Sequence, residues 1–100
     1  MTSLEDTFHA AMIRIYQTAL DHGYHAAYFK RMLDEHGGLE AAHRLLAGPE
    51  TQSGLFKLWE LGLLDSSVEA LVIQERFRPL FSEKEIARAH QRLEELDYFI

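Results

Sequence analysis

Residues 3–23 read SLEDTFHAAMIRIYQTALDHG, and this stretch decides the fold class. Leu4, Phe8, Met12, Ile15 and Ala19 recur at steps of three and four, which lines them up on one face of an α-helix. Ser3 precedes them, with Asp6 three positions on, in the pattern of an N-terminal cap. Gly23 supplies a stop, because a glycine just past a helix end accepts the left-handed conformation that closes it. The reading is a helix over about residues 4–21.

The same punctuation continues along the chain. A second helix is expected over roughly 25–36, burying Tyr28, Phe29, Met32 and Leu33, and ended by Gly37-Gly38. A short third runs from Leu39 to Ala47 and closes at Gly48-Pro49, since proline cannot continue a helix and restricts the residue before it. Thr51-Gln52-Ser53 offer caps for a helix holding Leu55, Phe56, Leu58, Trp59 and Leu61, with Gly62 terminating it. Asp65 or Ser66 caps the next, Glu69 reaches back to Ser66, and Val68, Leu71 and Val72 face inward. A strand over residues 70–73 suits Val and Ile but has no second strand to pair with. Phe77-Arg78-Pro79-Leu80-Phe81 reads as a proline-pinned turn with both aromatics tucked inward. Ser82-Glu83-Lys84-Glu85 is a capping box opening a last helix, whose Ile86, His90 and Leu93 share a face. The expectation is an all-α fold, a compact bundle of about six short helices in one domain over residues 1–100.

Composition limits what such a bundle does. The 100 residues carry ten Lys+Arg against sixteen Asp+Glu, a formal charge of −6. Both halves are equally acidic, with four basic and seven acidic groups in residues 1–50 and six and nine in residues 51–100. That balance argues against a surface made wholly for nucleic acid, whose affinity comes mainly from Lys and Arg neutralising phosphates. There are no cysteines, which excludes disulfides, thiol nucleophiles and Cys-based metal sites. No apolar run is long enough to span a membrane, and the first residues lack the basic-then-apolar pattern of a signal peptide. A cytoplasmic protein is expected.

The candidate chemistry is sparse. His22 and His25 are three apart but straddle Gly23, and no carboxylate completes a metal-binding pattern, so exposed turn histidines are the reading and no metal is expected. His9, His36 and His43 stand singly, and His90 is expected as a structural histidine on the inner face of the last helix. Asp34-Glu35-His36 and the acids at 94, 95 and 97 fall at helix ends as solvated surface rather than as a carboxylate pair with separated pKa values. Ser53 and Ser66-Ser67 are explained by capping, and Gly37-Gly38 is not followed by the lysine of a phosphate loop. No catalytic constellation and no cofactor are expected.

Two features rise above this background. Arg76, Arg78, Lys84, Arg88 and Arg92 fall within seventeen positions, the last three at four-residue steps along what reads as the outer face of the final helix. That stripe suits phosphates or an ion-paired solvated face, with Glu85, Glu94 and Glu95 as partners. The other feature is apolar excess: Leu55, Phe56, Leu58, Trp59, Leu61, Leu63 and Leu64 crowd ten residues, and the chain ends Tyr98-Phe99-Ile100. The first cluster reads as a central, mostly buried helix, and the second as either a folded-back tail or a contact surface.

Residues 35–46 (EHGGLEAAHRLL), 58–62 (LWELG), 64–72 (LDSSVEALV) and 77–81 (FRPLF) together resemble a family of small uncharacterised bacterial proteins. Members pair an HGG turn with an LWE helix and an LDxxVEALV helix. The resemblance runs from Phe8 almost to the end of the chain. It implies a bacterial, all-helical unit and a loose association with DNA-handling or defence genes, and it carries over no catalytic residue. Gly23-Tyr24-His25-Ala26-Ala27-Tyr28-Phe29 departs from the polar version of that segment, as does Tyr98-Phe99-Ile100.

These readings combine into a non-catalytic helical binding protein, an adaptor or accessory subunit that binds a protein partner or itself. Its expected anchors are Trp59, Tyr98, Phe99 and Ile100, because aromatic side chains dominate interface energetics. The alternative is a nucleic-acid-binding module with a helix–turn–helix over residues 55–74 and Arg76, Arg78, Lys84, Arg88 and Arg92 on phosphates. Its second helix offers only Gln74 to read a base edge.

Overall fold

The computed structural model describes residues 3–48 and 50–99. It is an all-α bundle of short helices, and among the described residues there is no strand. Helix α1 covers Leu4–Asp21, α2 Ala27–Ala47, α3 Glu50–Glu60, α4 Val68–Val72 and α5 Glu83–Glu95. Short 3-10 turns occupy Leu64–Ser66 and Glu75–Leu80. No described helix is long and apolar enough to cross a membrane.

The core grows from the stripe that the opening sequence shows. Phe8 and Met12 of α1 are fully enclosed, and Ser3 caps the helix by accepting the Asp6 N–H at 3.0 Å. Phe8 meets Phe77 and Phe81 edge-on, with ring centroids 5.1 and 5.3 Å apart. Such pairs add about 0.5–1.5 kcal/mol each beyond the area they bury. Both aromatics of the proline turn thus point inward, as their sequence context implies. Ser82 forms the capping box with Glu85, each backbone N–H bonded to the other's side chain at 2.9 and 3.1 Å.

Gly37 breaks α2 into two helical segments, as Gly37-Gly38 implies in the sequence, with the second starting immediately after it. Gly37 alone leaves helical geometry inside α2, at φ 79°, and the chain resumes the helix at once. Its neighbour permits a close approach. The Gly38 N–H donates to His9 Nδ1 at 2.8 Å, and a Cβ on Gly38 would lie 2.6 Å from the His9 Cα. His9 therefore serves, from α1, as the acceptor for the amide exposed at the kink, which fixes its tautomer with the proton on Nε2.

Two local expectations are corrected by burial. Ser67, not Asp65 or Ser66, caps α4, accepting the Ala70 N–H at 3.1 Å while its own hydroxyl donates to the Leu64 carbonyl at 2.7 Å. Glu69 does not reach back to Ser66 but turns into the interior, where it is 1% exposed. Its partner is Arg92, which the sequence pattern placed on the outer face of α5 and which is in fact 5% exposed. The guanidinium donates to Glu69 Oε2 at 3.2 Å and to the carbonyls of Leu45, Leu46 and Gly48 at 3.4, 3.0 and 3.2 Å. Those carbonyls close the C-terminal end of α2, where a helix lacks partners of its own and its dipole favours a cation. Burial pushes the Glu69 carboxyl above the ordinary carboxylate range, with its own backbone amide and the guanidinium opposing that shift.

One side chain thus ties α5 to α4 and to the end of α2. Arg92→Met leaves a buried carboxylate and the Leu46 and Gly48 carbonyls without the guanidinium, and is expected to cost about 3–5 kcal/mol, read from the urea midpoint. Glu69→Gln, which keeps an acceptor for the guanidinium, is expected to cost clearly less. Equal losses would show that the carbonyl contacts contribute nothing.

Candidate functional site

The described surface holds one well-formed apolar cleft, of about 460 Å³. Ile15, Tyr16 and Ala19 of α1 form one wall. Tyr24 and Ala26 of the following loop, with Tyr28 and Phe29 at the start of α2, form the end. Gly54, Leu55, Lys57 and Leu58 of α3 face them, over a floor of Leu45, Ser66, Val68 and Glu69. Tyr16 and Phe29 stack with centroids 6.4 Å apart and planes 9° from parallel, which braces α1 against α2 on that side. A volume of this size with mostly apolar walls lies within the ~300–1,000 Å³ of small-ligand and side-chain sockets.

The reading of residues 55–64 as a mostly buried central helix is overturned here. Leu55 is buried, but Phe56 is 51% and Trp59 46% exposed, and α3 lies at the edge of the bundle. The two rings contact each other with centroids 5.3 Å apart and neither lines the cleft, to which Leu55 and Leu58 turn a different face of α3. Fully burying a side chain of this kind is worth about 1.5–3 kcal/mol, so the fold forgoes roughly half of that gain at each.

The other expected anchors are engaged within the chain. Tyr98 donates its hydroxyl proton to Asp65 at 2.5 Å, pinning the C-terminal residues to the turn before α4. Phe99 is half exposed and stacks on His90, centroids 4.3 Å apart. Ile100 lies outside the described residues. His90 is therefore not an inner-face structural histidine: it is exposed and carries the tail's aromatic ring on its surface.

The basic stripe does not form one surface. Arg92 is buried, as described above. Arg76 lies over the Phe77 ring at 4.4 Å and donates to Gln74 at 3.0 Å, while Arg78 donates to the Ile73 carbonyl at 3.4 Å. Lys84 and Arg88 remain exposed on α5. Glu85, expected among their ion partners, instead faces α2: His43 Nδ1 lies 2.5 Å from its Oε2, with the imidazole against Phe81. His22 and His25 are exposed, as their turn position implies. Among the described residues no group of three or more His, Asp or Glu is arranged to hold a metal ion.

Sequence reasoning assigned Tyr16, Tyr24, Tyr28, Phe29 and Gly54 no binding role, although they build the cleft. The available signals were the apolar departure at residues 23–29 and a glycine in the middle of a helix. Compared with known proteins, the chain matches no family model, no curated protein and no solved structure.

Two titrations check this geometry. The hydrogen bond to Asp65, burial and the nearby carboxylate charge push the Tyr98 phenol up to about 12. An alkaline ultraviolet titration is expected to show one of the four tyrosines ionising near that value, and Tyr98→Phe is expected to remove that late step. At the acid end, burial raises the Glu85 carboxyl, but hydrogen bonds from the Ser82 backbone and His43 outweigh it, leaving the group below its ordinary range. A carboxylate held low in the fold contributes stability above its unfolded pKa, about 4.3, and loses it as pH falls through the folded value. Glu85→Gln should therefore show a shallower acid-side loss of stability than the wild type, and parallel curves would exclude that contribution.

Proposed function

We propose that this chain is a non-catalytic helical binding protein, an adaptor or accessory subunit. It receives apolar side chains of a protein partner in the cleft between α1, α2 and α3. Trp59 and Phe56, exposed on the other side of α3, offer it a second apolar contact. The observation that carries this reading is the cleft itself, an apolar-lined hollow of about 460 Å³. Apolar surface left uncovered beside a socket is a recurrent mark of interaction sites. Tyr98 and Phe99 hold down the C-terminal residues and play a supporting part.

Gly54 supports the same assignment. It sits inside α3, where glycine costs about 1 kcal/mol relative to alanine. The fold does not require it: a Cβ there would meet only the Tyr24 hydroxyl, at 3.7 Å, an ordinary contact. What the missing side chain keeps clear is the cleft.

The test is affinity capture from a bacterial lysate with nuclease present, comparing wild type, Gly54→Leu and Trp59→Ala. Gly54→Leu is expected to fill the cleft while keeping the helical circular dichroism and melting temperature. A partner that survives nuclease should be lost from Gly54→Leu and weakened about 30-fold by Trp59→Ala, the scale of a hot-spot residue. A partner retained equally by all three proteins overturns the assignment of the cleft. Recovery that collapses with nuclease overturns the protein-binding reading in favour of the nucleic-acid one.

A further inference from the structure

We infer that the junction between His9 and the kink of α2 is a pH-operated latch, closed while the imidazole is neutral and opened by its protonation. The latch lies apart from the cleft and does not depend on the binding role proposed above. The Gly38 N–H begins the second segment of α2, where helix amides lack partners within their own helix. Its acceptor is His9 Nδ1 at 2.8 Å, on α1 and 29 positions away in sequence. Gly38 is buried, and the two backbones approach so closely that a Cβ there would lie 2.6 Å from the His9 Cα. An imidazolium carries a proton on both ring nitrogens and has no lone pair left to accept with. Protonated His9 therefore turns a second donor toward a buried donor, and one of the two has to move away.

The surroundings make the response selective. Glu5 and Asp6 of α1 line the same hollow as His9, together with His36, Glu40 and His43 of α2. Glu40 is held by Arg44 at 3.1 Å, and His36 lies 3.7 Å from Glu35. The turn over Glu75–Leu80 and helix α4, which also pack on α1, contribute no described charge to that hollow. Glu5 and Asp6 are exposed and supply the counter-charge for an imidazolium that has let go of Gly38. From α5, Glu85 meets His43 at Nδ1, which must carry a proton to face a carboxylate. His43 donates with that atom whether its ring is neutral or charged. Acid that breaks the His9 contact thus leaves the His43 contact in place, and α2 is released from α1 at its kink while α5 keeps hold of the second segment. Phe8, next to His9 and fully enclosed, keeps α1 docked, so the opening is local. The open state holds one proton more, so rising pH closes the latch and falling pH opens it.

The test is nuclear magnetic resonance on the full chain labelled with nitrogen-15, from about pH 8 to about pH 5, the range in which histidines titrate. At the upper end a coupling across the hydrogen bond, between the Gly38 amide nitrogen and His9 Nδ1, is expected. It should vanish in step with the ionisation of His9, read from that ring's own nitrogen shifts. Over the same range the Gly38 amide should lose about tenfold in exchange protection, once intrinsic exchange rates are divided out. The amide of Leu93, in the core of α5, should keep its protection. His9→Gln offers a carbonyl that does not titrate, so its Gly38 protection is expected to stay level with pH. His43→Gln is expected to keep the wild-type fall. A coupling that persists after His9 has ionised overturns the inference, and so does a His9 that stays neutral down to the lower end of the range. The same fall in His9→Gln as in the wild type, or its loss in His43→Gln, assigns the response to another group and overturns it equally. Should His9→Gln fail to fold, the wild-type coupling and ring shifts decide the matter alone.

Discussion

A guanidinium buried away from water must find acceptors for its donors, and the arrangement of this bundle follows from where Arg92 finds them. Its contacts come from two places distant in sequence: Glu69 on α4 and the carbonyls of Leu45, Leu46 and Gly48 at the end of α2. A buried ion pair need not add net stability, because desolvation offsets the attraction. Its effect here is on geometry. The end of α2, Glu69 of α4 and the last turn of α5 have to meet at one point for the guanidinium to keep these acceptors. The aromatic trio of Phe8, Phe77 and Phe81 then locks α1 and the proline turn to that frame.

The part of the structure governed by local rules was legible in the sequence. Helix α1 and its Ser3 cap, the inward Phe77 and Phe81 and the Ser82–Glu85 box all depend on residues within a few positions of one another. Arg92 was not legible, for a specific reason. Steps of four from Lys84 through Arg88 to Arg92 describe a single stripe, but a stripe on a short helix is wide enough for one end to be solvated while the other turns inward beside Ala89 and Leu93. What decides the matter is an acceptor set up to 47 residues away in sequence. Glu69 was misread by the same logic, as a local cap instead of a long-range partner. His43 and Glu85, 42 positions apart, make the same point.

The cleft was hidden by a different ambiguity. Seven large apolar residues in ten, from Leu55 to Leu64, are too many for one stripe, and burial was the economical explanation. Periodicity reports that a helix has apolar faces; it does not say how many are covered. In the structure one face, through Leu55, meets the bundle, while Phe56 and Trp59 face outward. Residues 23–29 carried the better clue, an apolar stretch with two tyrosines that spans the α1–α2 loop and the start of α2.

These two halves of the molecule have opposite physical demands, and the node at Arg92 reconciles them. Leu45 and Glu69 belong both to that node and to the floor of the cleft. The floor is therefore set by the most constrained contacts in the fold. The α3 wall is different: among its described side chains only Leu55 is buried, and its helix contains a glycine. Regions with few buried contacts open at lower free energy than the core they rest on. A partner of the kind proposed above would meet a fixed base and a yielding side. Adjustments of α3 accommodate it without disturbing Arg92, because nothing in the guanidinium's described contacts comes from α3. The proposed recognition and the specification of the fold are consequently separable, so a substitution at Gly54 tests the proposal while one at Arg92 tests the fold.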